Sequence, residues 1–587
     1  MIQLQPCPKG FTADLDKTRD PAQTVAEARA ALAQSGMDVL AETRRVDTGR
    51  LGIPVYMSVC GEHARKIMPT RKQMGKGSSP AQAEASALME LVERFSFFSF
   101  WEDADLPSLT WSEAEARFGT DLIPVEWILH SVADPATKQA ARTALDLVPW
   151  RFAEATDLAG ERPLWVPIAW FKKLNEFNGS CAGNSMEEAL LQGVCELVER
   201  HVCCLWDRTR PQTPTIAPQS AKDPVLRELL AKFAAAGVRV WLKDFSLGMP
   251  VPTVAALAYD PATFPLQSEI VFTAGTASSP EKAAIRALTE VAQLAGDFIT
   301  ESNYEASGLP KFLRMEDTAW VEEGPEVPIQ SLPSITCDDI TEELRAVARG
   351  LAQLGHPPLA VATTHPRLGI PTAYTFAPGL LFRERTPRAS VGLFVGRILA
   401  EEMEPETATA GLQTLESLWP DAPYLPFFRG LVALREGDLS RAAQLFAQAE
   451  PLQEDADDRG LAAFYQAYAL TQEGRWSEAI PILDRAIDAC PEVKEYYNLR
   501  GVAYFKESQY AAAAANFELA LELDSGSIMD LANLGVCHKL LGHTDLARDI
   551  LTRALAIDPS LDFARQHLTE LTATTEASWT SPAPSPN

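Results

Sequence analysis

The sequence lacks the features of a membrane or secreted protein. Its 587 residues contain no run of 18 apolar residues, which is about the length a helix needs to cross a bilayer. The first residues, MIQLQPCPKG, contain no basic stretch followed by an apolar one, as a signal peptide requires. We therefore expect neither a transmembrane helix nor a signal peptide, and a cytoplasmic location.

Positive charge is also scarce. Lysine and arginine number 52 against 79 aspartates and glutamates, so the formal net charge is −27. Phosphate backbones and anionic lipid surfaces repel such a chain. We predict no nucleic-acid partner and no membrane partner, and the charge favours a basic partner if there is one.

Two further absences limit the chemistry. The nine cysteines are scattered without a CxxC pair, which argues against a zinc or iron–sulfur site and favours free thiols. No GxxxxGK[ST] sequence occurs, and Gly75-Lys76-Gly77 is too short to count as one. Any nucleotide site is therefore not a P-loop.

One pattern occurs three times, at residues 79–94, 185–200 and 279–294. Each copy begins with a serine, a residue that caps helix N-termini, and has an alanine at the same later position. Three polar positions then follow at i, i+4 and i+7, which lie on one narrow stripe of a helix, opposite an apolar face. The nine stripe residues are Ser86, Glu90, Glu93, Gln192, Glu196, Glu199, Arg286, Glu290 and Gln293.

Each stripe taken alone is typical of a solvated helix face. Two observations favour a shared site instead, since no lysine occupies the nine positions and glutamate stands at i+4 in every copy. Carboxylates brought together repel one another unless cations or protons neutralise them, and hard cations such as Mg²⁺ prefer oxygen ligands. Nearby Arg94, Arg200 and Arg286 suit phosphate oxygens. The sequence therefore predicts a Mg-nucleotide site made from helix faces.

The same residues resemble the YcaO family over roughly residues 50–390. The similar runs are GKGSSPAQAEASALMELVERFS, NGSCAGNSMEEALLQGVCELVER and RALTEVAQ. Three family motifs match in order, and their residues are Ser86, Glu90, Glu93 and Arg94, then Asn184, Glu188, Gln192, Glu196, Glu199 and Arg200, then Arg286, Glu290 and Gln293.

The resemblance implies an enzyme that binds ATP and Mg²⁺ and phosphorylates the oxygen of a backbone amide in a peptide or protein. A Cys, Ser or Thr side chain, sulfide or an amine then attacks, giving an azoline, a thioamide or an amidine; other members are linked to ribosomal-protein methylthiolation. By this resemblance the metals are held by Glu90, Glu93, Glu196 and Glu199, while the cofactor-binding residues are Lys76, Ser86, Arg94, Asn184, Glu188, Gln192, Arg200, Arg286, Glu290 and Gln293.

The chain is long enough for several domains. We predict an α+β YcaO-like domain with a mixed sheet, followed by an all-α tetratricopeptide-repeat solenoid. The expected boundaries are 1–50 for an N-terminal helix and strand, 51–395 for the catalytic domain, 396–420 for a linker helix, 421–573 for the repeats and 574–587 for a disordered, proline-rich tail.

Within the first domain the pattern predicts a helix at 21–35, strands at 38–46 and 54–60, and a loop at 71–77 that carries Lys76. Segments with alternating, aromatic-rich sequence are expected to be strands. These are LIPVEWIL, LVPWRFAEA, PLWVPIAWF, VRVWLKDF, PTVAALAY and SEIVFTAG.

Beyond residue 420 small and bulky residues recur every 34 positions, as at Gly501 and Gly535 or Phe517 and Leu551. This period is that of tetratricopeptide repeats, about four in number here. The concave face of such an array commonly binds a peptide or another protein, although an array that only dimerises or caps the first domain is equally compatible with the sequence. An alternative function is therefore a nucleotide-binding platform that recruits clients with little turnover.

Overall fold

The computed structural model describes residues 1–295, 298, 309–383 and 389–579. Residue contacts divide the chain into two compact units, residues 1–391 and residues 392–587. The described part of the first unit combines sheets and helices, and that of the second is helical. The predicted fold class, an α+β domain followed by a helical solenoid, is confirmed.

The described strands of the first unit form three sheets rather than the single mixed sheet expected. In chain order the strands are β1 (Leu40–Arg45), β2 (Val55–Cys60), β3 (Lys72–Lys76), β4 (Ser108–Leu109), β5 (Trp150–Asp157), β6 (Arg162–Pro167), β7 (Ser180–Ala182), β8 (Thr215–Ile216), β9 (Arg239–Asp244), β10 (Thr253–Tyr259), β11 (Val271–Thr276), β12 (Glu326–Val327), β13 (Leu359–Ala362) and β14 (Thr372–Phe376). The sheet orders are β1-β2-β3, then β11-β10-β9-β8-β12, then β4-β5-β13-β14-β7 with β6 paired to β5. The β8–β12 pair is parallel, and the other pairs described are antiparallel.

The helices of the first unit surround these sheets. They are α1 (Pro21–Gln34), α2 (Glu62–Ile67), α3 (Pro80–Asp103), α4 (Trp111–Phe118), α5 (Val125–Ser131), α6 (Lys138–Leu145), α7 (Ile168–Asn175), α8 (Met186–Thr209), α9 (Pro224–Ala235), α10 (Pro280–Ala295) and α11 (Ile340–Gln353). The three repeated segments therefore form α3, α8 and α10, as their spacing predicts.

Several local predictions were wrong. LIPVEWIL leads into helix α5, and the second half of PLWVPIAWF forms α7, because Pro124 and Pro167 each precede a helix in short apolar runs that suit either structure. Lys76 ends strand β3 instead of lying in a loop. That strand is buried at alternate positions and pairs with β2.

Each of the three helices packs closely on a glycine that precedes it. A methyl group added at Gly75 would overlap the backbone of Ala83 and Ala87, and one at Gly275 would overlap Ala283 and Ala287. Gly183 lies in the same way against the start of α8. The alanine that recurs in every copy of the pattern is therefore a point where the helix backbone lies close to the glycine that precedes the helix.

The second unit consists of helices in its described part. They are α12 (Val391–Glu402), α13 (Pro405–Leu418), α14 (Leu425–Arg435), α15 (Leu439–Ala449), α16 (Ala456–Gln472), α17 (Trp476–Ala489), α18 (Lys494–Lys506), α19 (Tyr510–Leu523), α20 (Ile528–Leu540), α21 (Thr544–Ile557) and α22 (Asp562–Trp579). The linker helix expected at 396–420 is two helices, since Pro405 begins a new one. A methyl group at Gly396 would meet the Phe428 ring, so α12 packs on α14 as part of the array.

The helices from α14 to α21 form four consecutive pairs, with α22 after them. Within three of the pairs a glycine of the first helix lies against a bulky residue of the second. The contacts are Gly430 with Phe446, Gly501 with Phe517, and Gly535 with Leu551. Small and bulky residues of the repeat pattern thus pack against each other within these three pairs, as expected.

The end of the chain differs from its prediction in part. Helix α22 continues to Trp579, so residues 574–579 are helical. The remaining tail, residues 580–587 with its PxPxP spacing, lies outside the described residues. No described helix is both long enough and apolar enough to span a membrane.

The close glycine contacts give a stability prediction. Gly275→Ala should destabilise the first unit by about 1–3 kcal/mol, because the new methyl group overpacks the joint between β11 and α10. A lower midpoint of urea unfolding, followed by tryptophan fluorescence, would report this loss. Gly460→Ala in α16 is the control, since the nearest atom to its added carbon is 3.3 Å away and alanine favours helix. Equal midpoints for the two variants would contradict the packing argument.

Candidate functional site

The three polar stripes line one cavity in the first unit. Its volume is about 350 Å³, and all nine stripe residues contribute to its wall. The other lining residues are Lys72, Gln73, Met74, Lys76, Arg94 and Arg200. The stripes are thus the facing walls of one cavity rather than three separate solvated faces.

The helix starts fix how the stripes are directed. Ser79, Ser185 and Ser279 each accept a hydrogen bond from the backbone N–H three residues later, as the sequence predicts for caps. Pro80 and Pro280 occupy the first helical position, where the missing N–H costs nothing. With the glycine contacts, these caps set where each helix begins and which face meets the cavity.

Burial of like charges dominates the electrostatics of this cavity. Burial, reinforced by the charges of Glu90 and Glu196, raises the pKa of Glu93 well above its ordinary value. Burial also raises the pKa of Glu196, and that of Glu199 to about 7. Glu199 is therefore partly protonated near neutral pH, and a bound cation would displace that proton.

Lys76 and Arg94 neutralise part of this charge. Lys76 forms an ion pair with Glu290. Burial would raise the pKa of Glu290, but the lysine lowers it together with two neighbouring arginines. Arg94 donates to Glu90 Oε1 at 3.0 Å and lies 3.5 Å from Glu93. Each metal-ligand candidate on α3 is therefore paired with a cation of the chain itself.

Ser180, at the start of β7, connects two of these groups. Its hydroxyl accepts from Arg94 Nη1 at 3.1 Å and donates to Glu93 Oε1 at 2.7 Å. The Arg94 guanidinium also lies 4.3 Å from the centre of the Phe177 ring. Sequence reasoning did not single out this serine, because it lies 87 residues from Glu93 and outside the three repeated segments.

Arg286 on α10 and Glu199 on α8 are also held in place by hydrogen bonds. Arg286 Nη1 donates to Gln192 Oε1 at 2.7 Å, while its buried Nε has no hydrogen-bond partner. Glu199 Oε2 accepts from the backbone N–H of Thr276 at 3.0 Å. Arg286 thus keeps one buried donor that no group of the described residues accepts, which is a costly arrangement.

A second cavity of about 170 Å³ adjoins the first and contains Asn184 and Glu188. The two cavities share six lining residues, Lys76, Ser86, Glu90, Glu93, Gln192 and Arg286. Asn184 donates to Glu188 at 3.1 Å and accepts from Thr24 at 2.9 Å. The predicted site residues therefore divide into a highly charged cavity and a neighbouring one with more uncharged polar groups.

Residues near the N-terminus complete this second cavity, and the sequence did not indicate them. Asp14, Lys17 and Arg19 are part of its wall. Lys17 Nζ lies 3.3 Å from Glu188 Oε1, and it lowers the pKa of that carboxyl although burial opposes the shift. These residues belong to no repeat or spacing pattern, so only the folded chain reveals their place.

The donors present fit Mg²⁺ and a triphosphate in type. Five glutamates line the larger cavity beside Arg200, Arg286 and Lys76; oxygen donors suit Mg²⁺, and the cations suit phosphate. Among the described residues no three His, Cys, Asp or Glu side chains already stand in a metal-binding arrangement. Glu90 and Glu93 are instead paired with Arg94, and Glu196 is paired with Arg200, so metal binding at these three requires an exchange of partners.

The comparisons with known proteins place the chain in a family. Residues 74–381, more than half of the chain, match the family described as YcaO cyclodehydratase, binding ATP and Mg²⁺. The chain belongs to the YcaO family, and the predicted cofactors are those in the family's description. Tetratricopeptide-repeat families match residues 454–493, 464–528 and 531–561.

Individual relatives agree with this assignment. An uncharacterized protein of Methanothermobacter thermautotrophicus is 27% identical over 388 residues, covering 61% of this chain and 94% of that protein. The ribosomal protein S12 methylthiotransferase accessory factor YcaO of Escherichia coli K12 is 25% identical over 32% of this chain and 35% of its own length. A heterocyclase solved in complex with substrate and cofactor has a TM-score of 0.53 at 22% identity, covering 65% of this chain and about half (54%) of that protein. The last similarity shows the shared fold.

The raised pKa values predict how pH affects metal binding. A raised carboxyl pKa stabilises the cation-free folded chain below the ordinary value of 4.5, and this contribution is lost as pH rises through about 7 at Glu199. Mg²⁺ binds the ionised form, so the gain in Tm with Mg²⁺ and a non-hydrolysable ATP analogue should be larger at pH 8 than at pH 6. Glu199→Gln should reduce this difference, whereas Glu102→Gln at the exposed end of α3 should keep it. Equal gains at both pH values would argue against the assignment.

Proposed function

We propose that this chain uses ATP and Mg²⁺ to activate a backbone amide of a peptide or protein by phosphorylating the amide oxygen. The observation that carries the proposal is the convergence of all nine stripe residues on one cavity of about 350 Å³. The chain's membership of the YcaO family supports the same reaction class. We expect no membrane or nucleic-acid component.

The division of charge between the two cavities supports an orientation for the nucleotide. Phosphates need cations, so the triphosphate would occupy the larger cavity, where Arg200 and Arg286 lie beside the glutamates. The ribose and base would occupy the second cavity, where Asn184 and Glu188 offer hydrogen bonds to hydroxyl groups. Lys76 and Ser86 line both cavities, so they would contact the phosphates where the two cavities meet.

Each group would have a simple electrostatic task. Bound Mg²⁺ would neutralise the phosphate charge that develops during transfer. Glu90, Glu93, Glu196 and Glu199 would hold the metal ions, and Arg94 would orient the first two. The amide oxygen would attack the terminal phosphorus as the bond to ADP breaks. An incoming nucleophile would then add to the amide carbon, and phosphate would leave.

The lining of the larger cavity contains no His or Cys among the described residues. Phosphoryl transfer depends mainly on positioning and charge stabilisation, so the reaction does not require such a residue. The attacking group would come from the substrate side chain, from sulfide or from an amine. The products would be an azoline, a thioamide or a related group, and an accessory part in ribosomal-protein methylthiolation belongs to the same proposal.

The repeat array would supply a protein-binding surface. Leu461 in α16 and Met529 in α20 occupy equivalent positions two repeats apart, and they are 36% and 50% exposed. Equivalent positions in stacked repeats face the same side, so the array presents two exposed apolar side chains along one face, with the exposed Glu495 at that position in the repeat between them. This surface would recruit a substrate or client, and it also favours the second candidate function, a nucleotide-binding platform with little turnover. A homodimer through this face is the remaining alternative.

Substitution of the metal-ligand candidates tests the proposal. Glu93→Gln and Glu199→Gln should each weaken MgATP binding about 10- to 100-fold, because each removes one charge from the metal site. Calorimetry and release of phosphate from ATP would measure binding and turnover. Glu102→Gln, on the same helix as Glu93 but exposed, should bind like the wild type.

The outcomes separate the two candidate functions. If the wild type binds and hydrolyses MgATP and both variants lose these activities, the enzyme is supported. Binding without hydrolysis, even with peptide added, favours the platform. A wild type that binds no nucleotide would refute both readings of the cavity.

A further inference from the structure

We propose that Glu343, on α11 and outside all three stripes, is a positioning residue of the nucleotide site. It acts by holding residues 8–19, which we call the strap, against the second cavity. This inference rests on the proposed function, since it assumes that the two cavities bind MgATP. It adds a structural requirement that neither the repeated pattern nor the family motifs contain.

Glu343 is fully buried and bonded on both oxygens. Its Oε1 lies 2.5 Å from Lys9 Nζ and accepts from the backbone N–H of Cys337 at 2.9 Å. Its Oε2 accepts from the Ser278 hydroxyl at 2.7 Å. Lys9 is almost as buried, with 6% of its side chain exposed. A buried ion pair of this kind fixes geometry, because either charge left alone would be strongly destabilising.

Further contacts fix the strap on either side of this ion pair. Lys9 Nζ also binds Asp16 at 2.7 Å, which joins two points of the strap to the same ammonium. Backbone hydrogen bonds between Phe11 and Lys17 close the loop between them. Lys282 donates to the carbonyl oxygens of residues 12 and 13, each at 2.9 Å. The strap is therefore a closed loop whose position depends on buried ammonium groups.

The far side of the strap forms part of the second cavity. Thr18 donates through its backbone N–H and its hydroxyl to Glu188 Oε2, both at 3.0 Å. Asp14 accepts from the Ser78 hydroxyl at 2.7 Å, in the turn before α3. Lys17 lies beside Glu188. Any shift of the strap would therefore move the groups that surround the nucleoside end of the site.

The same carboxylate also holds a second wall. Ser278 directly precedes Ser279, the N-cap of α10, which carries Arg286 and Glu290. A small third cavity, lined by residues of the strap, α8 and the turn before α10, lies between these parts. Glu343 thus couples the strap to the start of the third stripe helix, so its loss would disturb the site from two directions.

A double-mutant cycle tests this role. Glu343→Gln and Lys9→Met should each raise the Kd for Mg²⁺ and a non-hydrolysable ATP analogue at least tenfold in the full-length chain. The double variant should be no weaker than the single ones, since both substitutions release the same strap. Lys17→Ala should weaken binding in the wild-type background and should have no further effect in the Glu343→Gln background. Calorimetry gives these values without any need for turnover.

Asp260→Asn is the matched control. Asp260 is buried and pairs with Arg50 at 2.7 Å, and it lies outside the cavities described above. This variant should lower Tm as the Glu343 variant does while leaving the Kd unchanged. If Glu343→Gln lowers Tm but binds the analogue like the wild type, Glu343 is only structural and the inference is overturned.

Two other outcomes are informative. If Glu343→Gln does not fold, Lys9→Met decides the question, because it alters only the strap side of the ion pair. If the Lys9→Met variant binds the analogue as tightly as the wild type, this inference is overturned and the proposed function is unaffected. Absence of binding in the wild type overturns the proposed function itself, and this inference with it.

Discussion

The site depends on one costly arrangement, the burial of several carboxylates around a single cavity. Like charges removed from water repel strongly, and a protein relieves the repulsion by taking up protons, pairing with cations or binding metal. This chain uses the first two, since the pKa of Glu199 is raised to about 7 and Glu290 pairs with Lys76. Buried carboxylates with shifted pKa values are typical of functional sites.

Placing three helix faces around one cavity demands close control of each helix position. The control comes from glycines that precede the helices and from alanines at one fixed place within them. Each glycine has no side chain that would hold the helix backbone away, and the small alanine of the helix lies at a point of close contact. The repeated pattern therefore satisfies two requirements. One face of each helix packs on the sheet, and the opposite face carries the side chains that line the cavity.

The sequence predicted what periodicity encodes and missed what depends on distant contacts. The stripes and the 34-residue repeats were readable because helix geometry fixes their spacing. Segment 122–129 was misread as a strand because a short apolar run suits a helix equally well. Ser180 and Glu343 were missed because their partners are separated from them by scores to hundreds of residues, so no local pattern marks them. The strap was missed for the same reason.

The arrangement of charges also suggests how the cavity changes between its two states. Without nucleotide, Arg94 and Lys76 pair with the glutamates and hold the cavity near neutrality. On the proposed function, Glu90 and Glu93 would hold Mg²⁺, which would supply the neutralising charge, and Arg94 and Lys76 would then be available to the phosphates. Glu90, Glu93 and Arg94 would each exchange one partner for another, so none of the three would be left without a partner in a buried site. Arg286, which lines the same cavity and has a buried Nε without a hydrogen-bond partner, is consistent with such an exchange.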